Sequence, residues 1–228
     1  MALTQVTIRS YSYPMPRPSQ NVDQRLLDAG LELLPQTGCA GLSVRRLTEH
    51  AGVNLGMFHY HFKSKDNFIR AVLQRTYEDM FAALTLEVET DPVASPVHNL
   101  RSAVRVLAHF GRRHRHLMVR ILADAMAGEA LAREFLLANL PRHIAVIGRL
   151  IAQAQQRGEF RPAPPPQVLA FIAAGVASPI LIGTAMQGAG GLPEAHTLID
   201  DHLLSDAAIE ARIDAALRAW LTRPEETP

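Results

Sequence analysis

Residues 42–65 read Leu-Ser-Val-Arg-Arg-Leu-Thr-Glu-His-Ala-Gly-Val-Asn-Leu-Gly-Met-Phe-His-Tyr-His-Phe-Lys-Ser-Lys. The stretch reads as two short helices joined by a tight turn. Val44, Leu47 and Ala51 recur at i, i+3 and i+7, one face of a helix. Ser43 precedes them, where a hydroxyl caps orphan backbone N–H groups. Gly52-Val53 breaks the pattern. Asn54 then caps a second helix, with Phe58 and Phe62 at i and i+4 pointing inward. This is the spacing of a helix-turn-helix, whose second helix enters the DNA major groove.

The outer face of that second helix agrees with the reading. A 3.6-residue period that turns Phe58 inward turns Gly56, Met57, His59 and Tyr60 outward. Gly56 has no side chain, so DNA can approach closely. Met57 offers apolar contact to a thymine methyl, and His59 and Tyr60 carry donors within reach of phosphates. Arg45 and Arg46 lie in the first turn of the preceding helix, where cations oppose the dipole at a cost of about 0.3–1 kcal/mol each. A polyanionic partner offsets that cost. The bland alternative is an ordinary helical hairpin with a solvated basic edge.

The segment Gly-x-Phe-His-Tyr-His-Phe-Lys-Ser-Lys (Gly56–Lys65) resembles the signature of TetR/AcrR-family transcriptional regulators, usually Gly-x-Leu-Tyr-x-His-Phe-x-Ser-Lys. Leu26-Leu27-Asp28-Ala29-Gly30, Gly38, Leu42–Leu47 and Ala51-Gly52-Val53 fit the upstream part, so the resemblance covers roughly residues 21–72. Phe58 and His59 replace the usual Leu-Tyr pair, and Gly30 replaces a common alanine, which should loosen the first helix. The resemblance implies an all-α fold in which an N-terminal three-helix helix-turn-helix domain is followed by a helical ligand-binding and dimerisation domain. The DNA candidates are then Ser43, Arg45, Arg46, Leu55, Met57, His59, Tyr60, His61 and Lys65. Arg45 suits a guanine edge. Ser43, His59, Tyr60 and Lys65 suit phosphates; for His61 the alternative to a DNA contact is a half-buried place that props the helix.

The remaining composition is neutral ground. The chain has 228 residues, 48 % of them hydrophobic and 20 % charged, with a net charge of +1. Residues 1–70 hold eight Lys/Arg against five Asp/Glu, and both lysines, Lys63 and Lys65, lie in the motif. Nucleic-acid binding therefore rests on the motif and not on bulk charge. Cys39 is the single cysteine, so no intramolecular disulfide forms, which suits a reducing cytoplasm. It reads as a small packed residue. Residues 1–20 lack a signal-peptide core and read as a flexible leader, a solvated tail in preference to a minor-groove arm that touches DNA through Arg9 and Arg17.

Downstream the pattern is helical throughout. A first helix is expected over about Val22–Leu34, closed by Pro35 and Gly38. Ser64 caps a helix from Asp66 to about Glu89. Thr90–Pro96 reads as a loop. Pro96–Phe110 is the next helix, broken at Gly111 before the basic run Arg112–His116, which reads as a solvated turn. Another helix runs to Ala127, a long one spans Ala130–Arg157 with an interruption near Pro141, and Gly158 ends it. Arg157–Pro162 resembles a turn of the family's regulatory domains. Pro164–Gln187, the loop 188–193 and Asp206–Leu221 complete the order, with a tail from Arg223. The expected divisions are a leader (1–20), a DNA-binding domain (21–66) and an effector-binding and dimerisation domain (67–228).

Val168–Met186 carries no charge over 19 positions, a length that fits a membrane span. Ser178-Pro179 and the absence of a companion span favour a helix buried on most sides in the core and at a subunit interface. Ile209, Ile213, Ala216, Leu217 and Trp220 keep helical spacing as a second surface. The resemblance implies that these last two helices form a homodimer, which would read a palindromic duplex.

No catalytic, phosphate-loop, dinucleotide or local metal motif occurs. Only a distant assembly such as His109, His143 and Glu134 leaves a metal site open. Met118, Ile121, Leu122, Met126, Phe135, Leu136, Ile144, Ile147, Phe171 and Ile172 are candidates to line an apolar effector cavity. The expectation is a cytoplasmic DNA-binding regulator, a repressor released by a small, mainly apolar effector, with no cofactor, no metal, no membrane and no enzymatic activity. The alternatives are an enzyme, or a helical membrane-associated scaffold, with an accessory helical hairpin.

Overall fold

The computed structural model describes residues 21–89, 94–190 and 193–222. The leader with Arg9 and Arg17, most of the Thr90–Pro96 loop, residues 191–192 and the tail from Arg223 lie outside the described residues. The chain order is α1 (Val22–Gly41), α2 (Val44–Ala51), α3 (Leu55–Phe62), α4 (Lys65–Glu89), α5 (Pro96–Arg113), α6 (Arg115–Met126), α7 (Ala130–Gln156), α8 (Pro165–Gly188), α9 (Pro193–Ile199), a π-helical segment (Asp200–Leu204) and α10 (Asp206–Arg218). The described residues form no strand, only an antiparallel bridge between Phe160 and Leu221.

Side-chain caps start the helices where the sequence places them. Ser43 Oγ accepts from the Arg46 N–H at 3.4 Å, Asn54 Oδ1 from Met57 at 2.9 Å and Ser64 Oγ from Asn67 at 3.1 Å. Each satisfies a first-turn donor with no intrahelical partner. Gly52, at φ 61°, closes α2. This left-handed backbone is open to glycine at no steric cost.

Three expected breaks fall elsewhere. α1 continues through Pro35, held by buried Leu33 and Leu34, and its regular turn ends only at Gly38, at φ 67°. α5 runs through buried Gly111 to Arg113 and turns at His114. α7 passes Pro141 without interruption. At Pro35 and Gly111 packing on both sides of the weak residue outweighs its low helix propensity; Pro141 stands exposed, on a helix held by buried Asn139 before it and Ile147 after it. The Arg112–His116 run is also no solvated turn. Arg112 donates to the Leu204 carbonyl at 3.1 Å and pairs with Asp206 at 2.9 Å, and the His114 ring lies 4.5 Å from that of Phe110.

Buried side chains form two clusters. The first joins α1 to α3 and the start of α4, with Leu26, Leu34, Leu47, Phe58 and Phe68 at its centre, and takes Leu117 and Ile121 from α6. Phe58, Phe62 and Phe68 pack ring to ring, with centroids 4.9–5.8 Å apart. The second is built from α4, α5, α7, α8 and α10 around Leu84, Leu100, Ile151, Ile180 and Ile213. α4 serves both: Phe68 to Leu73 belong to the first, Tyr77 to Leu84 to the second.

Of the two last apolar helices, α10 departs from expectation. α8 buries one face only, through Val168, Ile172, Val176 and Ile180, and leaves Phe171, Ile182 and Met186 exposed. By length and composition α7 joins α8 as apolar enough to cross a bilayer, so the run is not unique. Ile209, Ile213, Ala216 and Leu217 on α10, and Trp220 just after it, are buried within the chain. They are core and not an outer surface, because α10 packs between α5 and α8. α9 and the π-helical segment, absent from the sequence reading, bury Ile199 and Leu204 in the same core. The end of the chain is fastened to the Arg157–Pro162 turn. Arg161 N–H donates to the Trp220 carbonyl at 2.9 Å, Thr222 N–H to the Glu159 carbonyl at 3.0 Å, and the Arg161 guanidinium lies 4.7 Å over the Trp220 ring.

Gly30 is a point of close approach and not of looseness. A Cβ there would stand 2.6 Å from the Phe68 ring and 2.9 Å from Val72. Gly30→Ala gains up to about 1 kcal/mol of helix propensity but overpacks a full core, which costs about 1–3 kcal/mol. The net expectation is a lower melting temperature in thermal unfolding; an unchanged or higher one contradicts the packing at α1–α4.

Candidate nucleic-acid interface and internal cavity

α3 presents two rows. Met57 and His61, with Phe58 and Phe62, form the inner face, while Leu55, Gly56, His59 and Tyr60 form the outer one. Met57 is therefore turned partly inward, against the first core, and not outward as its place beside Phe58 suggests. An inward stripe on a helix this short spans more than 100° and draws in the neighbour of its central residue. Tyr60 is 67 % exposed. His61 is half buried, its ring edge-on to Tyr60, with a buried Nε2 that has no hydrogen-bond partner among the described residues.

The basic residues around α3 are exposed yet already engaged. Arg45 Nε pairs with Glu49 one turn along α2 at 2.9 Å, both side chains being mostly exposed. Arg46 reaches Gln36 Oε1 at 3.4 Å. Lys65 Nζ donates to the Ala40 carbonyl at 2.9 Å, tying the start of α4 to the end of α1. An exposed ion pair contributes little to stability, so Arg45 exchanges its partner at small cost. Ser43 is used as a cap. Arg25 was not legible in the sequence: its guanidinium donates to the carbonyls of Ala51 at 2.6 Å and Gly52 at 3.0 Å. It takes the orphan acceptors at the end of α2 and fixes the turn before α3. No local pattern marks a contact across 26 residues.

The turn after α1 is seated on α6. Cys39 N–H donates to Asp124 Oδ2 at 2.8 Å, Arg120 Nε to Asp124 Oδ1 at 2.9 Å, and Arg120 Nη2 to the Thr37 carbonyl at 3.2 Å. A side chain on Gly38 would collide with the Arg120 guanidinium. The Cys39 thiol is pushed up to about 12, first by burial and then by the negative charges of Glu129 and Asp124.

Between α4, α5, α6, α7 and α8 lies a cavity of about 550 Å³. Met118, Ile121, Leu122, Phe135, Leu136, Ile144, Ile147 and Ile172 line it as expected. Met126 and Phe171 do not. Met126 ends α6 a turn past Leu122 and is 82 % exposed, and Phe171 faces α10, edge-on to Trp220 at 5.6 Å. The polar lining comes from Thr76, Tyr77, His114, Asn139 and His143, and no Asp, Glu, Lys or Arg takes part. Tyr77 Oη donates to the Asn139 carbonyl at 2.8 Å and lies 3.3 Å from His143 Nδ1. The proposed metal trio is not assembled: His109 pairs with Glu210 at 3.0 Å and Glu134 with Arg70 at 3.0 Å. Among the described residues no group of three His, Cys, Asp or Glu side chains is placed to hold a metal ion.

Comparison with known proteins decides what this architecture is. Residues 26–72 match the profile of bacterial regulatory proteins of the tetR family. The chain is 24 % identical over 147 residues to the HTH-type transcriptional regulator UidR of Escherichia coli K12, covering 63 % of this chain and 71 % of UidR. It is 32 % identical over 81 residues to the HTH-type transcriptional repressor DhaR of Mycobacterium sp. GP1, covering 36 % and 40 % of the two chains. Its fold is similar to that of the TetR-family regulator PfmR of Thermus thermophilus, with a TM-score of 0.62 and 18 % identity over 87 % of this chain and all of that one. Residues 26–72 are a tetR-family DNA-binding region. Its helix-turn-helix is α2 and α3, and the chain is a transcriptional regulator.

Two measurements check these environments. Cys39 is expected to resist a neutral-pH thiol reagent in the folded protein and to react at once in denaturant; rapid labelling of the folded chain contradicts its burial and raised pKa. His114, His116 and His143 are all held below their ordinary 6.5, in each case first by burial. The folded state thus favours neutral rings. Their contribution is complete above pH 6.5, where the unfolded chain is also neutral, and is lost as pH falls below it, where the unfolded chain takes up more protons. Thermal unfolding is expected to show a falling melting temperature from about pH 7 to about pH 5, with a smaller fall in His143→Phe.

Proposed function

We propose that the chain is a cytoplasmic repressor. As a homodimer it holds a palindromic duplex operator, and a small, mainly apolar effector releases it. Residues 21–66 form the DNA-binding domain, and residues 67–228 bind the effector and dimerise. Leu55, His59 and Tyr60 face the groove from α3, with Met57 at its margin. Arg45 reads a base edge after leaving Glu49, and Arg46, Ser43 and Lys65 position the backbone. The name of DhaR, a transcriptional repressor, supports the sign of the regulation. No enzymatic activity and no cofactor enter this reading.

One observation carries the proposal: the helices that line the cavity are those that hold the DNA reader. α4 contributes Leu73, Thr76, Tyr77 and Met80 to the cavity and begins three residues after α3. α6 contributes Met118, Ile121 and Leu122 and carries the Arg120–Asp124 seat of α1. A ligand that fits one arrangement of α4 and α6 better than another shifts the population of reader positions by that difference in affinity. For the dimer, the exposed face of α8 (Phe171, Ile182, Met186) lies beside Ala207, Ala211 and Ala215, exposed on α10. That pairing of bulky and small residues suits a close two-fold contact.

Selection from random duplexes with the purified protein tests the reading. The expected product is a palindrome whose half-sites lie about one helical turn, or a multiple of it, apart. The double variant Arg45→Ala, Tyr60→Ala is expected to keep the parent's dimer by sedimentation and to bind that palindrome about ten- to a hundredfold more weakly. No enrichment over random sequence overturns the operator assignment, and unchanged affinity overturns the residue assignment.

A further inference from the structure

The cavity's polar corner restricts what it accepts. Tyr77 Oη directs its proton to the Asn139 carbonyl at 2.8 Å, which leaves the phenol oxygen as an acceptor toward His143 Nδ1 at 3.3 Å. His143 therefore carries its hydrogen on Nδ1, since the nitrogen that donates fixes the tautomer of a neutral ring. Its Nε2 makes no hydrogen bond with any described residue, and the ring lines the cavity. Burial holds this imidazole in its neutral form, and does the same for His114, first among its causes. Asn139 offers nothing further: its Nδ2 donates to Phe135 O and Gln74 Oε1, and its Oδ1 accepts from Gln74 and Arg142.

The rest of the wall decides the charge. No cation lines the cavity. The nearest on the same helix, Arg142, grips Glu78 with two nitrogens, at 2.6 and 3.0 Å, and lies over the outer aromatic faces of Tyr77 and Phe81. A carboxylate in the cavity would lose its water without gaining a counter-ion, and would meet the Nε2 lone pair. A neutral hydroxyl would donate to that lone pair while its carbon skeleton covers apolar wall.

We infer that the cavity takes an uncharged, largely apolar ligand bearing a hydroxyl, an alcohol or phenol, with His143 Nε2 as the acceptor of its proton. This rests on the effector reading above and names the ligand class of that site. Long-chain probes test it. 1-Decanol, decyl methyl ether and decanoate share one skeleton and are titrated calorimetrically into the intact dimer at about pH 8, where the imidazole is neutral. Decanol is expected to bind about tenfold more tightly than the ether, one neutral hydrogen bond. It is expected to bind about a hundredfold more tightly than decanoate, whose charge is buried unpaired. His143→Phe should bring decanol down to the level of the ether and leave the ether unchanged. Tyr77→Phe removes the oxygen that fixes the tautomer and should erode the same preference without touching His143.

Decanoate binding as well as decanol, or an alcohol preference that survives both substitutions, overturns the inference. Failure of all three probes to bind a folded protein overturns the cavity as a ligand site, and the inference with it. The predicted order of binding without release of the selected palindrome upholds the ligand class and overturns only the effector role.

Discussion

One buried carboxylate joins the two halves of this chain. Asp124, on α6, accepts the backbone N–H of Cys39 and the guanidinium of Arg120, and Arg120 in turn holds the Thr37 carbonyl. These bonds occupy the place where α1 loses its own ladder, at the positive-φ Gly38. Backbone groups at a helix end must find partners or remain costly. Here the partners come from 85 residues away. Without the carboxylate a buried amide is orphaned, worth about 1–3 kcal/mol, and the first cluster loses its register on α6. The same arrangement explains an inert cysteine. Burial and two acidic neighbours raise its thiol pKa so far that it serves as a small packed group.

The sequence shows best what local chemistry determines. Caps at Ser43, Asn54 and Ser64, the glycine stop after Ala51 and the inward phenylalanines of α3 follow from short-range donors, acceptors and periodicity, and the structure holds them. Proline and glycine as helix breakers mislead at Pro35, Gly111 and Pro141, because the buried contacts of the helix as a whole outweigh a local penalty. The same limit explains α10. An apolar stripe in sequence reports that a face is covered, but not whether this chain or another copy covers it. Here α5 and α8 do so.

The candidate sites follow the same division. Exposure of Leu55, His59 and Tyr60 follows from the period of one short helix, whereas the inward lean of Met57 depends on the width of the face α3 must cover. The engagements of Lys65 and Arg25 lie beyond the reach of motif reading, because their acceptors are backbone carbonyls distant in sequence; the i, i+4 pair of Arg45 with Glu49 is local. In the cavity most of the apolar wall was legible and its polar corner was not. Tyr77, Asn139 and His143 sit on two helices, 62 and 66 residues apart in the chain, and only their packing makes them one hydrogen-bonded group.

α4 belongs to both clusters, and that has a mechanical consequence. Its 25 residues form a rod about 37 Å long at about 1.5 Å per residue. One end adjoins the reader, and the other is embedded in the second cluster, past the cavity wall. A rod of that length amplifies angle into distance: on the same rise, a tilt of about 5° at one end displaces the other by about 3 Å, comparable to one base-pair step. Under the proposed effector reading, a ligand would alter the spacing between two readers by tilting α4 at Tyr77, with no unfolding or sliding of any element.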